Sequence, residues 1–377
     1  MKYIDEFRDK KLIQRCARNI GRIIPVRQIN IMEVCGTHTQ NFYRFGLAKI
    51  IPENLRLIAG PGCPVCVSSQ GYIDAAIALA GRDEAIIVTF GDMLRVLGSS
   101  SSLEKQRAKS GNVRLAYSPL ESIAIAKRRP EKKVIFLAVG FETTAPAIAL
   151  TIAAAKKEKL KNLFFLTALK LILPAMEYLA RDKKLNLDGF LCPGHVSAII
   201  GAKAYTGVAK KYGLSCCVAG FEPLDILEGL YLLLLRIKRN KPGVDNQYSR
   251  VVKDGGNPSA KRILCRVFTP QDADWRGLGN IPGSGLGIRR EFSQFDAAKH
   301  FSLREPRTEQ PLPAPASRAG WGRQGAPSHC RCADVLKGLI GPKGCPLFGK
   351  ACRPDNPIGP CMVSNEGACN AHYRYNK

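Results

Sequence analysis

Apolar runs of strand length alternate with stretches of helical period through the middle of this chain, and no other feature limits its fold as tightly. The strand-like runs fall at residues 30–34, 55–59, 85–90, 134–139, 163–166 and 215–219. The helical stretches fall at 71–80, 119–129, 145–157, 174–185 and 224–238, and Pro119 and Pro174 suit a first helical turn. Such alternation implies parallel sheets covered by crossover helices. Sites in such folds gather at the carboxyl ends of the strands.

A chain of 377 residues has room for two or three domains. The expected division is an α/β domain at 1–130, a second α/β domain at 131–245, and a small irregular C-terminal domain at 246–377. The first two are Rossmann-like parallel-sheet units. After residue 248 glycine and proline rise, and DADWRGLG and IPGSGL read as irregular or short-strand structure. Residues 304–328 are poor in large apolar side chains and read as a flexible linker or insertion. A short echo, Gly140-Phe141-Glu142 and Gly220-Phe221-Glu222, ends two of the strands and places Glu142 and Glu222 at sheet edges.

The formal charge is +26, which raises the question of an acidic partner. The basic residues are scattered, however, and clusters such as Lys127-Arg128-Arg129 sit at expected helix ends, where cations favour the macrodipole. No nucleic-acid-binding motif accompanies them, so a solvated basic surface is the reading adopted, without nucleic acid as a partner. The longest apolar run, residues 230–235, is far too short for a membrane span. The charged N-terminus has no apolar signal region, so a cytoplasmic location is expected. In that compartment, fourteen cysteines read as metal ligands or working thiols more readily than as disulfides.

Three thiol groups stand out. Cys35 follows the first strand, with His38 three residues on, where the imidazole could lower the thiol pKa or share a metal. A lone Cys-x-x-His is more often the pattern of a buried free cysteine beside a surface histidine. Cys63-Pro64-Val65-Cys66 lies between a strand and a helix, where the helix N-terminus favours a thiolate and a reversible disulfide. Finally, Cys330, Cys345, Cys352 and Cys369 are spaced C-x14-C-x6-C-x16-C among prolines and glycines. These long spacings suit a cuboidal iron–sulfur cluster, with a structural zinc as the other reading. Cys332 and Cys361 remain over, as a redox disulfide beside that centre or as structural residues. Among polar residues after strands, His195 in CPGHVSAIIG is the most suggestive, beside Glu142, Glu222, Asp92 and Asp225.

Taken together, EVCGTHT, GPGCPVC, VGFETTAP, CPGHVSAIIG, AGFEPLDIL, WRGLG, IPGSGL, CPLFGKAC and GPCMVSNEGAC resemble the HypD family of hydrogenase maturation proteins, over nearly the whole chain. The resemblance implies two Rossmann-like domains and a C-terminal domain holding a 4Fe–4S cluster on Cys330, Cys345, Cys352 and Cys369. It implies an iron-site ligand at Cys35, with His38 nearby, and an essential thiol pair at Cys63 and Cys66. The implied work is assembly of the Fe(CN)2CO unit of nickel–iron hydrogenases. A small HypC-like chaperone is the partner, and a HypE-like carrier delivers cyanide as a thiocyanate. The hydrogenase large subunit is served indirectly, and the iron carrying cyanide and CO is transient. From the thiols alone, an iron–sulfur disulfide reductase acting on a thioredoxin-like partner is the alternative.

Overall fold

The computed structural model describes residues 4–303 and 329–376, so the expected linker at 304–328 lies outside the described residues. The strands form three sheets. The first contains β1 (Ile29–Glu33), β2 (Leu55–Ala59), β7 (Gly189–Pro193), β8 (Ser215–Ala219) and β9 (Val244–Asn246), in the order β2-β1-β7-β8-β9. The second contains β3 (Ala85–Thr89), β4 (Val113–Leu115), β5 (Lys133–Gly140) and β6 (Leu163–Leu169), in the order β4-β3-β5-β6. All pairings in both sheets are parallel. The fold is therefore α/β, with two Rossmann-like parallel sheets and a cysteine-rich C-terminal region.

The central strands read as unbroken apolar runs because both faces are covered. Every residue of β1, β3, β7 and β8 is buried, as is all of β5 beyond Lys133. That is the signature of a strand inside a parallel α/β sheet. The covering helices carry their own start signals. The helix Ala145–Lys157 has Pro146 in its first turn and lysines in its last. The helix Pro223–Lys238 opens with a capping box, in which Glu222 and Asp225 each accept from the other's neighbourhood of backbone amides.

The chain does not divide at residue 130. After β2 it leaves the first sheet, builds β3 to β6, and returns with β7 beside β1. The second sheet is thus inserted into the first. Alternation along the sequence names strands and helices but does not say which sheet a strand joins. The segment after residue 248 is also more regular than expected: DADWRGLG and IPGSGL lie in an antiparallel pair, β10 (Phe268–Trp275) and β11 (Gly279–Ile288). No helix among the described residues is long and apolar enough to cross a membrane.

One apolar core joins all three parts. It includes Met32 and Ile58 of the first sheet, Ile87 and Leu137 of the second, and Cys332, Cys352 and Met362 of the tail.

Candidate functional site

In each parallel sheet the strand order reverses at one place, and crevices for ligands open there at the carboxyl ends. In the first sheet the reversal lies between β1 and β7, whose ends lead into Cys35 and into Gly194-His195. In the second it lies between β3 and β5, whose ends lead into Asp92 and Glu142. The tail spans both crevices. Thr37 Oγ1 donates to Glu366 at 2.6 Å, while Ser364 Oγ donates to Asp92 at 2.9 Å.

Cys35 caps the helix Gly36–Arg44 and is buried. Its amide donates to Glu33 Oε2 at 2.9 Å, and Thr39 Oγ1 donates to the other oxygen of that carboxyl. Burial pushes the Glu33 carboxyl well above the ordinary range. The Cys35 thiol is pushed up to about 12 by burial, then by Glu366 and Glu33. Free Cys35 is therefore a protonated thiol, and binding a metal there must displace the proton.

The second thiol group touches the first. Gly36 N donates to Gly62 O at 3.2 Å. A Cβ on Gly62 would fall 2.2 Å from Cys35 N, so only glycine lets the loop carrying Cys63 lie against Cys35. Cys63 caps the short helix Pro64–Val67 and accepts from Cys66 N at 3.3 Å. Burial pushes Cys66 up, but hydrogen bonds from the Cys361 and Cys63 thiols outweigh it and hold Cys66 down, at about 5. Burial and Cys66 itself push Cys63 well up. The pair therefore carries its negative charge on Cys66.

From Cys66 a line of sulfur continues into the tail. Cys361 Sγ lies 2.6 Å from Cys332 Sγ, Cys66 Sγ donates to Pro360 O at 3.7 Å beside it, and Cys66, Cys332 and Cys369 are the thiols that act on Cys361. Cys330, Cys332, Cys345, Cys352, Cys361 and Cys369 line one pocket with Phe348 and Met362. Backbone amides point at two of these sulfurs: Arg331 N donates to Cys345 at 3.5 Å and Ile358 N to Cys352 at 3.3 Å. A Cβ on Gly359 would fall 2.8 Å from Cys330 Sγ, so the wall there has to be bare backbone. Among the described residues, no three His, Cys, Asp or Glu side chains close on a single point as chelation of one ion requires.

The side chains of the remaining sequence-predicted residues are engaged with other groups. His38 is fully buried and donates from Nε2 to Gly220 O at 2.9 Å, beyond the end of β8; burial lowers it to about 4. His195 stacks on Phe221, with ring centroids 4.0 Å apart. Glu222 caps its helix and is paired with Arg8, whose Nη2 donates to Oε1 at 2.9 Å. Asp225 is paired with Arg250. Glu142 accepts from Ile172 N at 3.0 Å; burial raises it to about 7. Sequence reasoning passed over Glu33 and Glu366. A glutamate ending the apolar strand Ile29–Glu33 was a usable signal for the first; Glu366 meets Thr37 only through the tertiary fold.

A family model, HypD: Hydrogenase formation hypA family, matches residues 11–376. Among curated proteins the chain is similar to the hydrogenase maturation factor HypD of Azotobacter vinelandii, with 43% identity over 100% of this chain and 97% of the relative. It is 38% identical to the hydrogenase maturation factor HypD of Escherichia coli K12, over 100% and 98% of the two chains. A putative hydrogenase expression/formation protein of Methanocaldococcus jannaschii is also 38% identical, over 98% of each.

Proposed function

Since the chain belongs to the HypD family of hydrogenase maturation factors, we propose that it is a redox-active scaffold on which iron acquires its cyanide and CO ligands. The observation that carries this reading is the packing of Cys35 against the Cys63/Cys66 loop through Gly62. A disulfide reductase acting on a thioredoxin-like partner needs the thiol pair and the tail but has no use for Cys35.

Iron is the cargo and Cys35 its ligand. A thiolate suits low-spin iron bearing cyanide and CO. No two further metal-binding side chains of this chain close around Cys35 among the described residues, so a partner completes the iron's coordination. A small HypC-like chaperone fits that role. His38, bonded through Nε2 to the Gly220 carbonyl, orients the helix behind Cys35.

Cys63 and Cys66 supply the electrons for cyanide release. A HypE-like carrier presents a cysteine thiocyanate. Breaking its sulfur–carbon bond yields the carrier's thiolate and cyanide, which takes two electrons. Joining Cys63 and Cys66 in a disulfide provides those two electrons, and the dithiol's protons pass to the departing anions or water. Cys332 and Cys361, beside Cys66, can return the pair to the dithiol by thiol–disulfide exchange.

Cys330, Cys345, Cys352 and Cys369 fit a 4Fe–4S cluster. All four donors are thiols, amides aim at Cys345 and Cys352, and Gly359 leaves the wall open beside Cys330. Thiols that surround a space suit a cluster better than a zinc, which draws four ligands to one centre at about 2.3 Å. When bound, a cluster supplies electrons one at a time.

The test is anaerobic purification with the co-expressed chaperone, followed by iron and sulfide analysis and infrared spectroscopy. Co-purification with bands of metal-bound cyanide supports the scaffold reading. Iron and sulfide without such bands or partner would favour the reductase.

A further inference from the structure

Arg276 sits between the two thiol pairs. Its backbone N–H donates to Val67 O at 2.9 Å, and its Nε donates to Ser68 O at 2.9 Å. Both bonds fasten it to the end of the helix that carries Cys66. On the other side, a Cβ on Gly277 would fall 2.8 Å from Ala333 Cα, so this turn is pressed against the helix of Cys332. The guanidinium Nη2 is buried without a hydrogen-bond partner. Beyond the effect of burial, the groups acting on it are Cys332, Cys361, Asp74 and Cys66. Asp74 is already bonded to the amide and hydroxyl of Ser99, at 2.6 Å each. A buried guanidinium with an idle donor needs a negative partner, and the sulfurs are what remain.

The geometry points to Arg276 as the positioning residue that holds the counter-charge for the reduced Cys63/Cys66 pair. In the exchange, Cys361 thiolate attacks Cys66 and forms a mixed disulfide as the Cys63–Cys66 bond breaks, leaving Cys63 as thiolate. Cys332 thiolate then attacks Cys361, closing the Cys332–Cys361 disulfide and releasing Cys66 as thiolate. Two electrons have moved from one pair to the other. Fastened to the end of the helix that carries Cys66, Arg276 stabilises the charge on the sulfur that departs last, which favours the reduced pair over its disulfide. Neutral thiols need no such neighbour.

This inference rests on the reading that Cys63 and Cys66 cycle between dithiol and disulfide. The experiment equilibrates the full-length protein anaerobically with dithiothreitol redox buffers. Thiols are then trapped with a maleimide, and the redox state of the Cys63/Cys66 peptide is read by mass spectrometry. In Arg276→Gln the equilibrium constant for reduction falls about tenfold, a potential about 30 mV more negative. Arg276→Lys, which keeps the charge, stays within about threefold of the parent. Arg276→Met replaces the Gln variant if that one does not fold. An uncharged variant matching the parent, or a Lys variant shifted as far as the uncharged one, overturns the role of Arg276 while leaving the cycling intact. A parent protein whose pair shows no reversible step overturns both.

Discussion

His38 stands three residues beyond Cys35, yet its ring turns away to the Gly220 carbonyl. Fully buried, it is held neutral, lowered to about 4. The unfolded chain titrates near 6.5, so between pH 6.5 and 4 it binds more protons than the folded chain. The contribution of His38 is therefore present above pH 6.5 and lost as the pH falls through that window. In His38→Gln the amide keeps a donor for Gly220 without the charge. The stability advantage of the parent over this variant should shrink as pH falls from 6.5 to 4, by up to about 1.4 kcal/mol per unit. Urea titrations across that range measure it, and a difference independent of pH contradicts it. Glu142 has the opposite sign. Its folded value, raised to about 7 by burial, means that stability is lost as pH rises from 4.5 to 7. Glu142→Gln should abolish that loss, raising the thermal midpoint relative to the parent at pH 8 more than at pH 5.

At the scale of elements, the loop carrying Cys63 and the helix start carrying Cys35 are one unit. Gly62→Ala drives a methyl into the Cys35 backbone, so one of the two must shift. The expected loss is about 1–3 kcal/mol in urea unfolding, with slower oxidation of the Cys63/Cys66 pair by a thiocyanate-bearing carrier. Unchanged stability and rate would mean that the two loops are not in register. Much of this was legible in sequence. The places of Cys35 and Cys63 were, because an apolar strand-length run ends just before each, and the helix Ala145–Lys157 was, because Pro146 and its terminal lysines mark both ends. The sheet membership of β7 was not, since it depends on a partner, β1, about 160 residues earlier. Arg276 was likewise hidden: DADWRGLG reads as irregular or short-strand structure, and only the docking of β10 on the Ser68 segment turns the arginine inward.

On the scale of the whole molecule, the tail is what makes one site out of two crevices. Ser364 and Glu366, two residues apart, bond to Asp92 of the second sheet and Thr37 of the first. The tail also carries Cys361, which acts on Cys66 and on Cys369 and so links the thiol pair electrostatically to the tail cysteines. If Cys369 is a cluster ligand, Cys369→Ser should reduce bound iron and acid-labile sulfide from about four of each per chain to a small fraction. It should also lower the thermal midpoint, because a centre held by distant loops adds its binding energy to folding. Undiminished iron and sulfide would remove Cys369 from the ligand set.

The central claim is that the thiol of Cys35 holds the iron while its diatomic ligands are added. Infrared spectra of the Cys35→Ala variant, purified anaerobically after co-expression with the proposed chaperone, test it most directly. The account predicts that the bands of iron-bound cyanide and CO disappear while the acid-labile sulfide, and the iron that accompanies it, stay at the parent level. Full retention of those bands in the variant would contradict it.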